Sequence, residues 1–347
     1  PRQLYINENN LDHFKRQVEN IKNTAFKENG YEPTVIMQAT HSGRYSKPDG
    51  VPAPLIAYNN PIFEKDNPIS IERIVTDDYL DRVSEALIDG ARLAERAGFD
   101  GVDIKCCHRY LNSELLSAFE REGRYGGSFE NRYRFAAEGV KAIKEACGDD
   151  YPVSLRYSVE SKMKGFCEGA MPGEDYTEVG RAMPESEKAA KYLQDAGYDM
   201  LNADNGTYDS WYWAHPPMYM PQNCNLEEVA HIKKFVDIPV VCAGRMEPDV
   251  GAKAVAEGKI DGVGVARQFL TDPEWITKII EDRVEEIKPC ICCHAGCFNF
   301  SSSKGHANTQ DLTDTMGLAR CAINPLTMQS KKYKIVPAKK QKKFFNL

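Results

Sequence analysis

The chain has no apolar run long enough to span a bilayer: nowhere in its 347 residues do 18 consecutive apolar residues occur. Its first thirty residues are charged throughout and lack the apolar centre of a secretory leader, so a cytoplasmic location is expected. No G-x-G-x-x-G occurs either. The nearest approach, Gly262-Val263-Gly264, reaches Arg267 where the third glycine would stand, which excludes a nicotinamide-binding Rossmann unit within this chain. There is no excess of positive charge. The formal net charge is -7 and the one basic run, Lys331 to Lys343, lies at the C-terminal end, which argues against nucleic acid as a partner. What is present, 42% hydrophobic and 27% charged residues, is the composition of a globular enzyme rather than a disordered chain.

Cysteine is plentiful. There are eleven, an odd number, and four crowd between Cys290 and Cys297, too close for a disulfide framework. Cys290, Cys293 and Cys297 give a C-x2-C-x3-C spacing that Cys321 can complete as a four-thiolate site. Four soft thiolates suit an iron-sulfur cluster or zinc, and local spacing alone separates the two poorly. Cys292, between them, either replaces a neighbour as ligand or packs. Cys106 and Cys107 follow a strand end and are expected to be small buried hydrophobes.

Six short β-rich runs are predicted as buried parallel strands: 34–37, 101–104, 152–157, 200–203, 239–242 and 262–265. Amphipathic helical patterns precede or separate them, at 11–27, 79–97, 131–146, 185–196, 226–235 and 248–256. Such alternation means an α/β fold with a parallel sheet, doubly wound or closed as a barrel. Polar residues sit just past the C-terminal ends of strand after strand (Gln38, His108, Tyr110, Arg156, Asn205, Arg245 and Arg267), which is where a (β/α)8 TIM barrel builds its active face. A barrel reading leaves its first two strands unaccounted for, so a fragment is expected. The predicted organisation is an incomplete barrel over 1–288, a cluster-binding segment over 289–330 with a loop at 299–315, and a basic linker over 331–347.

Several ordered motifs, from about residue 4 to 328, resemble the old yellow enzyme superfamily, in the iron-sulfur branch that includes 2,4-dienoyl-CoA reductase and bile-acid enoate reductases. Gln38-Ala39-Thr40-His41-Ser42-Gly43-Arg44 resembles its third-strand motif, Gly98 to Ile104 with His108-Arg109-Tyr110-Leu111 its fourth, and Tyr125-Gly126-Gly127-Ser128 with Asn131-Arg132 its Y-G-G-S-x-x-N-R signature. Ala243-Gly244-Arg245, Ala266-Arg267 and Asp272-Pro273 resemble its last two strand ends, and Cys321-Ala322-Ile323-Asn324-Pro325 its C-x-x-N-P.

That resemblance implies FMN, with Gln38 at the flavin pyrimidine edge, Arg156 near N1 and O2, and Gly244, Arg245, Ala266 and Arg267 at the phosphate. It implies Tyr110 as proton donor and His108 as carbonyl clamp, with Lys105 standing where relatives often have a histidine. It implies a 4Fe-4S cluster on Cys290, Cys293, Cys297 and Cys321, fed by NAD(P)H through an FAD module outside this chain. The substrate it points to is a small molecule with an activated alkene: an enoyl-CoA, enone or steroid-like compound. A homo-oligomer is also expected. Two alternatives stand beside this reading: an amine dehydrogenase of the trimethylamine dehydrogenase type, for which Trp211 and Trp213 are the aromatic-cage candidates, and a zinc-stabilised barrel without activity.

Overall fold

The computed structural model describes residues 4–49, 51–301 and 319–329. The basic linker over 331–347 and most of the loop over 299–315 lie outside the described residues. The described residues fall into two compact units, one ending at Gly264 and the other beginning at Val265.

In the first unit α1 (Leu11–Asn29) leads into β1 (Ile36–Ala39), and α2 (Asp77–Arg96) into β2 (Gly101–Cys106). Short α3 (Leu111–Leu116) and then α4 (Phe129–Cys147) precede β3 (Val153–Ser158), which a small hairpin of β4 (Met163–Gly165) and β5 (Glu168–Gly169) follows. Then come α5 (Met183–Ala196), β6 (Met200–Asp204), α6 (Trp211–Ala214), α7 (Leu226–Lys233), β7 (Val240–Ala243), α8 (Pro248–Ala256) and β8 (Gly262–Gly264). One sheet holds β1-β2-β3-β6-β7-β8 in that order, every neighbouring pair parallel. These are six successive strand-and-helix units of a (β/α)8 barrel, with β1 and β8 as the sheet's edges.

Two local differences from the sequence reading have physical causes. Pairing of β1 begins at Ile36 opposite Gly101, two residues later than predicted, because Pro33 has no N–H to give a ladder and the segment just before Ile36 is taken up by Asp100 instead. The β4–β5 hairpin was not predicted, since strands of three and two residues are too short to show a period. Helices α2 and α4 each begin two residues before the predicted position, at a side-chain cap: Thr76 Oγ1 accepts from the N–H of Tyr79 at 3.1 Å, and Ser128 Oγ from that of Asn131 at 3.3 Å.

Period-two alternation gives the sheet two faces. Val102, Ile104, Cys106, Val153, Leu155, Tyr157, Leu201, Ala203, Val240 and Cys242 are buried in one apolar core with the packed faces of the helices. Each fully buried Val, Leu or Ile there contributes roughly 1.5–3 kcal/mol, so this outer face carries the stability. The opposite face presents Gln38, Asp103, Lys105, Ser154, Arg156, Asn202 and Asp204, with register pairs Gln38 and Asp103, Lys105 and Arg156, and Ser158 and Asp204. A polar row on the inner face of a barrel sheet is a site rather than a core.

At the N-terminal ends of the strands one device recurs. Asp100, Asp199 and Asp261, each just before a strand, accept from the N–H of Val35, Val153 and Val240 in the preceding strand segment, all at 2.7 Å. A helix lysine closes each: Lys22 at 2.6 Å, Lys144 at 2.7 Å and Lys233 at 2.9 Å.

The second unit contains α9 (Arg267–Thr271), α10 (Trp275–Ile280) and α11 (Cys297–Ser301). Buried Asp272 accepts from Lys278 Nζ at 2.7 Å and from the N–H of Lys288 at 3.0 Å. Asn324 Nδ2 and Thr327 Oγ1 donate to the Leu270 carbonyl and tie segment 319–329 to α9. Among the described residues no helix is long and apolar enough to cross a membrane.

Candidate active site

The polar row is a connected network. Asp103, buried at the middle of β2, accepts from Gln38 Nε2 at 3.2 Å, Ser154 Oγ at 3.0 Å and Asn202 Nδ2 at 3.3 Å. One step towards the C-terminal ends, Arg156 donates to Asn202 Oδ1 at 3.0 Å and pairs with Asp204. Asp204 Oδ2 also meets His108 Nε2 at 3.1 Å. Burial works against charge on the His108 ring, but the Cys107 sulfur and the Asp204 carboxylate outweigh it and hold the ring up to about 9, so it carries its proton at neutral pH. Burial likewise opposes ionisation of Asp204, and Arg156 and His108 overcome it.

Beyond the end of β2 the backbone turns through two consecutive non-glycine residues at positive φ, His108 at 60° and Arg109 at 56°. Such residues cost of order 1–2 kcal/mol each and persist only where the surroundings hold them. Here Arg109 pairs with buried Asp209 and lies 3.4 Å from the centre of the Phe63 ring, while the Leu111 N–H reaches the His41 carbonyl. Gly43 makes that last approach possible, because a Cβ there would meet the Leu111 nitrogen at 2.7 Å. Arg44 of the same motif is structural, clamped between Glu64 and Glu114.

The turn aims Tyr110 into an aromatic group. Its Oη lies 3.1 Å from Tyr208 Oη, and Lys105 Nζ lies 3.5 Å from its ring centre. Tyr45 packs on both tyrosines at 5.4 and 4.6 Å, Tyr208 on Trp211 at 5.2 Å, and Trp211 on His215 at 4.3 Å. Tyr110, His108, Lys105 and Arg156 are thus brought together as the sequence suggested. Sequence reasoning missed Tyr208, Asp204 and Tyr45, whose signals lie up to 98 residues from Tyr110 and His108. Trp213 is corrected: it is buried under the hairpin and donates to the Ala170 carbonyl, so of the two predicted cage residues Trp211 alone joins the group. Asn205 is structural too, bonding Asn225 and the N–H of Glu160.

The chain matches the NADH:flavin oxidoreductase / NADH oxidase family over residues 3–286. It belongs to that family. It is 41% identical over 275 residues to a cinnamate reductase of Clostridium sporogenes, which covers 78% of this chain and 40% of the relative. Among solved structures, a 2-naphthoyl-CoA reductase in complex with 2-naphthoyl-CoA matches with a TM-score of 0.74 at 26% identity, over 97% of this chain and 48% of that one. A histamine dehydrogenase from Rhizobium sp. 4-9 matches with a TM-score of 0.69 at 26% identity, over 91% and 42%. The chain spans less than half the length of each of these.

The donor set fits the family's flavin. Gln38, exposed on β1, offers an amide donor and acceptor, and Arg156 holds a cation on the same face. Thr40 Oγ1, just past β1, is buried without a partner. At the end of β7, Gly244 (φ 143°) and Arg245 (φ 50°) turn the backbone so closely past Asn225 that a Cβ on Gly244 would meet Asn225 Nδ2 at 2.5 Å. The Arg245 guanidinium donates to the carbonyls of Pro217, Met218 and Met220, so the side chain braces a loop and leaves the backbone as the surface at that strand end. In the second unit, Ala266 is the residue before α9, and Arg267 meets His294 of the cysteine loop.

That loop and segment 319–329 bring Cys290, Cys293, Cys297 and Cys321 to the lining of one small cavity, with Cys292 on its wall. Gly296 makes the convergence possible: a Cβ there would meet the Arg320 carbonyl at 2.4 Å, and the Arg320 N–H donates to Gly296 at 3.0 Å. Cys321 Sγ accepts from the Ile323 N–H at 3.4 Å. The Cys292 thiol donating to Cys290, against the cost of burial and helped by the Cys292 N–H and Thr271, lowers Cys290 to about 5, a thiolate ready for metal. Tetrahedral zinc with bonds of ~2.3 Å needs its sulfurs about 3.8 Å apart. Among the described residues no three of these sulfurs lie within 4.8 Å of one another.

Proposed function

We propose that this chain is the flavin-binding, alkene-reducing part of an oxidoreductase, and that its substrates are enoyl thioesters, enones or arylacrylates. The observation that carries this is the convergence of a charged His108, the Tyr110 phenol and Arg156 at the ends of β2 and β3, in a family whose chemistry is flavin-based. Bound FMN supplies the hydride, and NAD(P)H its electrons. Gln38 and Arg156 would hold the flavin ring edge, and the backbone at Gly244 and Arg245 its phosphate.

The residues of the chain do the rest. His108, fixed by Asp204, donates to the substrate carbonyl and stabilises negative charge as it builds there. Tyr110 Oη delivers the proton to the carbon beside that carbonyl, and Tyr208, one hydrogen bond behind it, keeps the phenol aimed. Lys105 adds positive charge at the Tyr110 ring and takes the place of a second carbonyl donor. The aromatic group of Tyr45, Tyr208 and Trp211 supports a flat, unsaturated acyl substrate, in keeping with the reductase relatives. Residues 1–288 are assigned to the barrel, 289–330 to a 4Fe-4S segment held by Cys290, Cys293, Cys297 and Cys321, and 331–347 to a linker. The cluster supplies one-electron transfer.

The test is anaerobic expression with flavin, iron, sulfide and zinc quantified, then a screen of cinnamate, enoyl thioesters and methylated amines with dithionite-reduced or oxidised protein. Alkene reduction with about four irons per chain is the expected result. Oxidation of amines with no alkene reduction would instead select the dehydrogenase reading, and zinc without flavin the inactive one.

A further inference from the structure

Cys107 is fully buried, touches neither substrate nor flavin in the roles above, and stands beside two groups of metal-binding chemistry. Its sulfur, a ring nitrogen of His108 and a carboxylate oxygen of Asp204 all lie within 4.8 Å of one another. Among the described residues no other three Cys, His, Asp or Glu groups do so. Asp204 Oδ2 is taken by Arg156 and His108, whereas Oδ1 is buried and receives no hydrogen bond. A buried carboxylate oxygen left without a donor is costly, and a cation is the partner that removes the cost.

We propose that Cys107, His108 and Asp204 form a binding site for a soft divalent cation of the zinc class, and that filling it inhibits the enzyme by drawing His108 away from the substrate carbonyl. A thiolate, an imidazole and a carboxylate are a ligand set that zinc accepts with its fourth position open. The step balances: Cys107 S–H gives its proton to solvent as the metal–sulfur bond forms, His108 releases one of its two ring protons to solvent and coordinates as the neutral ring through the nitrogen so freed, and nothing is oxidised. Two anionic ligands then face the two charges of the ion. The adjacent Cys106 is walled into the apolar core with Val102 and Ile104 and contributes no ligand. The site stands on geometry alone, while the inhibition rests on the alkene-reductase reading.

The experiment uses the full chain, purified anaerobically and loaded with flavin and cluster, and titrates it with Co2+ as the spectroscopic probe and Zn2+ as the inhibitor. Cys107→Ala and Cys107→Ser are compared with the parent. The parent should bind one Co2+ more than either variant and show a near-ultraviolet sulfur-to-cobalt band that both lack. Zinc should inhibit the parent at concentrations at least tenfold lower than it inhibits C107A, and retained flavin in C107S shows that the fold is intact. Equal Co2+ stoichiometry and an equal band in C107A and C107S overturn the site. A band lost in both with zinc inhibition unchanged overturns the inhibitory role. A protein that binds Co2+ at Cys107 yet reduces no alkene leaves the site standing and sinks the proposed activity instead.

Discussion

Tyr110, Tyr208 and Arg156 differ in what their removal leaves behind, and that separates their roles. Y110F deletes one phenolic oxygen without disturbing the ring packing against Tyr45 and Lys105. General-acid catalysis typically contributes 10²–10⁴-fold, so turnover of a substrate that needs protonation should fall by about 10²-fold or more while flavin content stays constant. Y208F removes only the partner at 3.1 Å, and we expect a loss of roughly tenfold, about 1.4 kcal/mol. Equal losses for the two would make Tyr208 a donor in its own right. Arg156→Met leaves Asp204 buried beside His108 without its strongest cation. Breaking a buried pair by removing one partner costs about 3–5 kcal/mol, which urea unfolding would read together with weakened flavin binding. At this scale the sequence was half legible. Tyr110, His108 and Arg156 stand at strand ends and in a recognisable motif; Asp204 and Tyr208, which hold them, become neighbours only through the pairing of β3 with β6.

Strands β2, β3, β6 and β7 could be read because they are short apolar runs between amphipathic helices, and burial of their outer face follows from that pattern. The repeated aspartates at 100, 199 and 261 were not legible as a device, since each acts on the N–H of a different strand segment and on a lysine far away in sequence. Their placement at the N-terminal strand ends, opposite the candidate site, marks them as stabilising. Charge-assisted hydrogen bonds are worth ~1.5–3 kcal/mol, so D100N and D261N should each destabilise by about 1–2 kcal/mol without changing turnover. The sign with pH is fixed: although burial opposes it, their lysines and strand N–H groups hold Asp100 and Asp261 below the usual carboxylate range. Their contribution is therefore present above the unfolded value near ~4 and lost as pH falls through the folded value. Thermal melts of D100N and D261N should converge on the parent in acid and diverge at neutral pH.

For the molecule as a whole, two compact units carry two kinds of side chains, the polar row and aromatic group in the first and the cysteines lining one cavity in the second. Spacing picked out Cys290, Cys293 and Cys297 and left Cys321 as a candidate fourth; that Gly296 is what lets Cys321 approach them was not readable, because it depends on a contact with Arg320. Cys321→Ser should lower iron by about four per chain, as a 4Fe-4S site requires, and leave flavin content and dithionite-driven turnover unchanged, while Gly296→Ala should copy its iron loss. The readiness of Cys290 has a cost outside catalysis. A sulfur already ionised at neutral pH is the one that dissolved oxygen and peroxide attack first, passing through sulfenic acid to forms that no thiol restores. Metal-free protein left in air should therefore age from this one residue, gaining oxygen mass at Cys290 before any other cysteine, and its shelf life will be set by how soon after synthesis the site is filled.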